Sequence, residues 1–149
     1  MESKSKILFA YPVAYKEGMT KEDMCVPSPF LTDFEPNSVQ AIVVTIGFSI
    51  DYRNRAYLLV DVAKSGELRN YDDIAENGRV ETLKGGFFGN DLGIFLSSFF
   101  IQDLKVERSG YYEIEVTLFE TDNHGNKTDV ILDRYTSEFF IRVKEGSNE

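Results

Sequence analysis

With 149 residues, 42% of them hydrophobic and 13% aromatic, the chain has the composition of a folded globule and the length to bury a full core in one domain. Asp and Glu number 25 against 16 Lys and Arg, a formal net charge of −9 that works against nucleic-acid and anionic-membrane partners, because such binding draws on clustered cations. One cysteine, Cys25, leaves no intramolecular disulfide and excludes the disulfide-rich secreted class.

The first residues, Met1 to Lys6, are polar, and the apolar run after them breaks at Pro12 before Lys16 and Glu17. That is short of the apolar region and cleavage site of a signal peptide, and no window approaches a membrane span. Cytoplasmic residence is the expectation, and a bacterial or phage source fits as well as any other. Ile7 to Tyr15 is the first strand candidate, with Ile7, Phe9, Tyr11, Val13 and Tyr15 on one side. Pro12 cannot donate to a ladder, which points to an edge position or a bulge. From Lys16 to Ser38 the alternation dissolves into a polar stretch holding Pro27, Pro29 and Pro36, read as a long loop with a helical turn near Thr20 to Met24.

Val39 to Ile50 sets Ile42, Val44, Ile46, Phe48 and Ile50 on one face. Ala41, Val43, Thr45, Gly47 and Ser49 make a small-residue opposite face that a close neighbour would cover. Asp51 to Arg55 reads as a polar turn into Ala56 to Ala63, where Ala56, Leu58, Val60 and Val62 share a face, so the two segments are the leading candidate for a long hairpin. Tyr71 to Gly78 suits one or two helical turns closed by Gly78. Arg79 to Lys84 is a modest strand candidate, Gly85 to Gly93 is glycine-rich and suggests a turn or bulge, and Ile94 to Val106 reads as one bent strand or two short ones.

Tyr111 to Glu120 is the clearest strand, with Tyr112, Ile114, Val116 and Leu118 alternating with Glu113, Glu115 and Thr117. Asp122 to Lys127 is dense in turn formers and predicts a hairpin loop into a short strand around Val130 to Leu132. The last strand, Glu138 to Val143, turns Phe139, Ile141 and Val143 inward and leaves Phe140 facing outward.

Strand candidates joined by turns, with no sustained helical period, predict one all-β, mainly antiparallel domain over residues 1–149. The expected architecture is a two-sheet β-sandwich with at most one or two short helices and flexible termini at about 1–5 and 144–149. An immunoglobulin-like arrangement is the first choice, and a jelly-roll or C2-like one the second. Glu107-Arg108-Ser109-Gly110-Tyr111-Tyr112-Glu113-Ile114-Glu115-Val116 resembles the Gly-Tyr entry to a late strand in many such sandwiches, where a tyrosine hydroxyl ties a corner. That resemblance implies architecture and carries no function.

Chemistry-bearing residues are sparse. His124 is the only histidine, which removes two-histidine metal sites, and its place between Asn123 and Gly125 reads as a solvated turn. Cys25 has Asp23, Met24 and Val26 around it, with neither a base nor a positive setting to activate the thiol. Asp72, Asp73, Asp91, Asp122 and Asp129 fall in expected loops. In a C2-like sandwich such loops gather around calcium, which makes Asp122, Asn126 and Asp129 the weak calcium candidates, against the commoner role of loop aspartates in turns. Gly85, Gly86 and Gly89 lack the Gly-Lys-Ser/Thr of a phosphate loop. No cofactor is expected.

Phe87, Phe88, Phe95, Phe99 and Phe100 form the densest aromatic region. Adjacent strand residues face opposite sides, so either both faces are buried there or some rings are displayed. The leading functional expectation is a non-enzymatic interaction module that binds a protein partner or itself through a sheet face or edge, with Phe87, Phe88 and Phe140 as anchors. A basic ligand or surface would suit the acidic field. The alternatives are a carbohydrate- or small-ligand-binding sandwich using Tyr52, Tyr57 and Tyr71, and a hydrolase pairing two carboxylates.

Overall fold

The computed structural model describes residues 5–51, 56–71, 74 and 78–145. Strands β1 (Lys6–Ala14), β3 (Ser38–Asp51), β6 (Leu92–Val106) and β5 (Val80–Phe88) form one four-stranded sheet in the order β1-β3-β6-β5. Strands β2 (Phe30–Phe34), β8 (Lys127–Val143), β7 (Gly110–Thr121) and β4 (Ala56–Lys64) form the other, in the order β2-β8-β7-β4. Every neighbouring pair is antiparallel except β2 and β8, which run parallel. The all-β two-sheet sandwich expected from the alternation is the architecture observed.

Period-two alternation builds the core between the sheets. Ile42, Val44 and Ile46 of β3 and Phe99 and Ile101 of β6 meet Leu58, Val60 and Val62 of β4 and Ile114, Val116 and Leu118 of β7, all buried. Full burial of each such aliphatic side chain contributes roughly 1.5–3 kcal/mol. Along one flank β1 ties to β8: the Ile7 N–H donates to Asp133 Oδ2 at 2.7 Å, and Ser137 Oγ donates to the Ala10 carbonyl at 3.3 Å. The edge position that Pro12 suggested for β1 is where the strand lies. An irregularity between Ile7 and Phe9 splits the side chains that simple alternation placed together: Ile7 faces the core with Ala10, while Phe9, Tyr11 and Val13 face outward opposite Gly47, Thr45 and Val43.

The outer small-residue face of β3 is covered, as its composition suggested. Residues 16–28 fold back over it, and helix α1 (Lys21–Met24) inserts Met24 against Val13, Val43 and Phe100. Thr20 caps α1 reciprocally with Asp23. Two side-chain hydroxyls reach the Met24 carbonyl, Thr45 Oγ1 at 2.9 Å and Tyr11 OH at 3.1 Å, and Thr45 Oγ1 is also 2.8 Å from Ser98 Oγ. These hydroxyls are thereby satisfied. Further along, the Phe9 ring lies where a Cβ on Gly47 would fall, 2.5 Å away, so the residue under that ring has to be glycine unless the ring moves.

Three expectations are corrected. First, β3 and β4 are not a hairpin: β3 pairs with β1 and β6, whereas β4 pairs with β7 in the opposite sheet. Each carries an apolar face directed into the interlayer space, and placing them in opposite sheets lets the two faces cover each other. The polar turn read at 52–55 lies outside the described residues. Second, the long loop contains β2, whose Leu31 is buried beside Ile141. Third, the last two expected strands are one, β8, because Asp133 to Ser137 keep their backbone pairing to β7 despite polar side chains. The glycine-rich stretch is likewise partly strand: Gly85 to Phe88 belong to β5, and the turn is confined to Gly89, Asn90 and Asp91. Ile94 to Val106 is one strand, with an irregularity where it passes Gln40 and Ile42. Of the expected Tyr71 to Gly78 turns, residues 72–73 and 75–77 lie outside the described set, while the Ile74 N–H donates to the Tyr71 carbonyl at 3.3 Å.

Where the chain passes from β6 to β7, the fully buried Tyr112 closes the corner. Its hydroxyl donates to the Arg108 carbonyl at 3.1 Å and accepts from the Glu107 N–H at 3.3 Å. The tyrosine-tied corner read from the sequence is present in this form. Replacing Tyr112 with Phe removes one hydroxyl and strands two backbone groups. The expected loss is about 1–3 kcal/mol of unfolding free energy with the circular dichroism spectrum retained, measured by denaturant titration; no loss would mean the corner bonds are dispensable.

Candidate functional site

Strand β5 is the edge of its sheet, and none of its residues is fully buried. Val80, Thr82, Lys84, Phe87 and Phe88 are exposed, while Leu83 is half-buried against the cluster around Met24, so the strand is covered only in part and its Phe87–Phe88 end is open. Phe87 is 67% and Phe88 55% exposed. The aromatic doublets therefore divide: Phe99 and Phe100 lie in the sheet's middle with both faces buried, whereas Phe87 and Phe88 are displayed on opposite faces of the edge strand. Phe87 packs edge-on against Phe95 at 5.8 Å, and Phe95 in turn lies 5.8 Å from Phe48, so the displayed ring is the tip of an aromatic column rooted in the core. The column needs glycines beneath it. A Cβ at Gly85 or Gly93 would meet the Phe95 ring at 2.6 and 2.7 Å.

Phe140, the third anchor candidate, lies elsewhere. It is half-buried on the outer face of the second sheet, edge-on to the exposed Tyr111 at 5.4 Å and register-paired with the exposed Phe30. That pairing accounts for its outward direction. Register places the two groups at opposite ends of β3, because Phe87 aligns with Gly93 and Ile50, whereas Tyr111 adjoins the corner at Glu107 near Asn37.

Two of the calcium candidates, Asp122 and Asn126, serve the local turn. Asp122 Oδ1 accepts the N–H groups of His124 at 2.8 Å and Asn126 at 2.9 Å, which holds its carboxyl below the usual carboxylate range. Asp129 is exposed farther along β8, and among the described residues no three His, Cys, Asp or Glu side chains are grouped for a metal. Asp91 is in the β5–β6 turn, and Asp72 and Asp73 lie outside the described residues. Cys25 is exposed beyond α1. Of the tyrosine platforms, Tyr52 lies outside the described residues, Tyr57 is half-buried on β4, and Tyr71 stands edge-on to Phe119 at 5.2 Å.

One constellation had no signal in sequence spacing. The segment after β4 crosses the outer face of the second sheet, and Arg69 clasps Asp61, whose side chain is only 1% exposed. Asp61 Oδ1 accepts from Arg69 Nε at 2.9 Å and Nη2 at 2.6 Å, and Oδ2 accepts from the Arg69 backbone N–H at 2.7 Å. Arg69 Nη1 also donates to Asp103 on β6 at 2.9 Å, linking the two sheets. Two guanidinium N–H groups thus converge on one oxygen of the buried carboxylate and a backbone N–H takes the other, so both oxygens are hydrogen-bonded, one of them by charge-assisted bonds. Glu115, register-paired with Asp61, has its carboxyl pushed up by burial and then by the charges of Asp61 and Glu113.

No protein-family model matches the chain, and no curated protein matches it. Among the described residues no helix is long and apolar enough to cross a membrane.

Two predictions follow from the clasp. Arg69→Met leaves Asp61 buried without its cation, and the expected cost is about 3 kcal/mol of unfolding free energy; a loss below about 1 kcal/mol would mean Asp61 is solvated. For Glu115 the folded-state pKa lies above the unfolded one, so the ionised form destabilises the fold above the folded pKa, and the penalty vanishes below the unfolded value. Glu115→Gln is therefore expected to be more stable than the parent at neutral pH, with the difference fading as pH falls through the carboxylate range. Thermal melts across pH check this, and a variant less stable at neutral pH contradicts it.

Proposed function

We propose that this chain is a cytoplasmic, non-enzymatic interaction module of immunoglobulin-like architecture that self-associates through the β5 edge. The architectural part is supported by strand order. If β1 to β8 take the letters A, A′, B, C, D, E, F and G, the sheets read A-B-E-D and A′-G-F-C, the order of immunoglobulin constant domains with an added edge strand. Tyr112 then stands at the start of strand F, where such folds carry their tyrosine corner, with Ile114 two residues on in place of cysteine. The Cys-Trp-Cys pattern of antibody domains is missing, since the chain has one cysteine and no tryptophan.

The observation that carries the interaction reading is Phe87, 67% exposed at the tip of the aromatic column on an edge strand that is covered only in part. An uncovered hydrophobic edge is a template for another strand. The chosen occupant is a second copy. An antiparallel β5 related by a two-fold axis beside Thr82 and Leu83 sets Glu81 of each chain across from Lys84 of the other, both on the outer face. The irregularity between Thr82 and Lys84, with the charge of Lys84, limits open-ended pairing and favours a closed pair.

Light scattering coupled to size exclusion tests this. The expected parent is a dimer, and Phe87→Ser/Phe88→Ser a monomer with unchanged circular dichroism. A parent that stays monomeric up to its solubility limit, or a double variant that still dimerises, contradicts the reading.

A further inference from the structure

On the outer face of the second sheet, away from β5, an open groove of about 550 Å³ lies between the segment after β4 and the start of β8. Tyr71 and Phe119 meet edge-on at its base, and Glu115, Lys127, Asp129 and Arg134 line it with them. The volume is within the range of small-molecule sites.

Its cations are held in place by rings. Lys127 Nζ sits 4.2 Å from the centroid of Phe119, and the Arg134 guanidinium 5.4 Å from that of Tyr71, whose hydroxyl also accepts a hydrogen bond from Arg134 Nη2. Neither cation is in an ion pair among the described residues. The groove's lining carries both signs, Lys127 and Arg134 beside the carboxylates of Glu115 and Asp129, which suits a ligand that offers anionic oxygens to the cations and hydroxyl hydrogens to a carboxylate. Arg69 at the groove's edge is already committed to Asp61 and Asp103. The half-buried Glu115 faces the same space, and its raised pKa marks a desolvated carboxyl of the sort found in binding clefts.

We propose that this groove binds a small hydroxylated anion, a sugar acid or a sugar phosphate, whose anionic oxygens take Lys127 and Arg134 and whose hydroxyl hydrogen is accepted by Glu115. Charge-assisted bonds to the two cations would supply most of the affinity, and the single hydroxyl acceptor would supply selectivity over a bare anion. The aromatic base limits the mobility of both cations before the ligand arrives, which lowers the entropic cost of binding.

The test is a calorimetric titration of the full chain with glucuronate, glucose 6-phosphate, glucose and inorganic phosphate. Saturable binding is expected for at least one of the two sugar anions and for neither control. Affinity for that ligand should fall about tenfold or more in Arg134→Gln and in Lys127→Gln. Both side chains are exposed, so the variants should keep the parent's melting temperature. Glu115→Gln should weaken the sugar anion, because it removes the carboxylate that accepts the ligand's hydroxyl hydrogen. Binding of inorganic phosphate as strong as that of the sugar anions overturns the sugar assignment. No saturable binding by either sugar anion, or affinity unchanged by both cation variants, overturns the site.

Discussion

The rest of the structure depends on burying β3 on both faces. A strand in the middle of one sheet of a sandwich normally gives one face to the core and the other to water. Here the inward row of Ile42, Val44 and Ile46 and the outward row of Val43 and Thr45 are all solvent-excluded. The second row requires a covering layer, and residues 16–28 supply it with one apolar plug, Met24, and one carbonyl that answers the buried Thr45 hydroxyl and the half-buried Tyr11 hydroxyl. That layer in turn needs small residues beneath it. Large side chains at 43, 45 or 98 would lift it off the sheet.

The same constraint explains why β5 is different. The covering segment reaches Phe100 and Leu83 but goes no farther along the sheet, and the opposite sheet ends short of the other face of β5. The strand is therefore left as the place where apolar rings, glycines and a sheet edge coincide. On the second sheet the outer face is covered by a different device: the segment after β4 is pinned by the Arg69–Asp61 clasp and lies against Phe119 through Tyr71. Both outer coverings are connections between strands, one of them holding the short helix α1, each anchored by a few specific bonds to the sheet beneath. Hydrogen bonds together with one buried apolar or aromatic contact hold each of them, Met24 in one and Tyr71 on Phe119 in the other, while the hydrophobic core holds the sheets.

Much of this was legible in the residues and some was not. Alternation exposed β3, β4 and β7 because each buries a row of aliphatic side chains at period two, and Pro12 marked an edge because its missing N–H is a local property. The small-residue face of β3 announced a close neighbour for the same local reason. Pairing was not local: β3 and β4 each look like half of a hairpin, and only the packing of two sheets separates them. The strand β2 was hidden between prolines, since its pairing to β8 draws on partners more than 100 residues away, and the polar run through Asp133 to Ser137 masked the length of β8. Phe87 and Phe88 were singled out from composition and parity, and their exposure bears out that some rings are displayed. Phe140 belongs to a separate aromatic group because register sends it to the other sheet and the other end. The Arg69 clasp and the groove beside it were invisible, since Asp61, Arg69, Asp103 and Glu115 come from four segments with no shared spacing.

The central claim is that the middle of β3 is sealed on both faces while the Phe87–Phe88 end of β5 is left open, with that open edge as the proposed self-association surface. Hydrogen exchange read by mass spectrometry at two protein concentrations tests it most directly. The account predicts that β3 is the most protected segment at both concentrations, and that residues 80–88 gain protection as concentration rises. Protection in 80–88 that does not change with concentration, while another surface becomes protected, would contradict it.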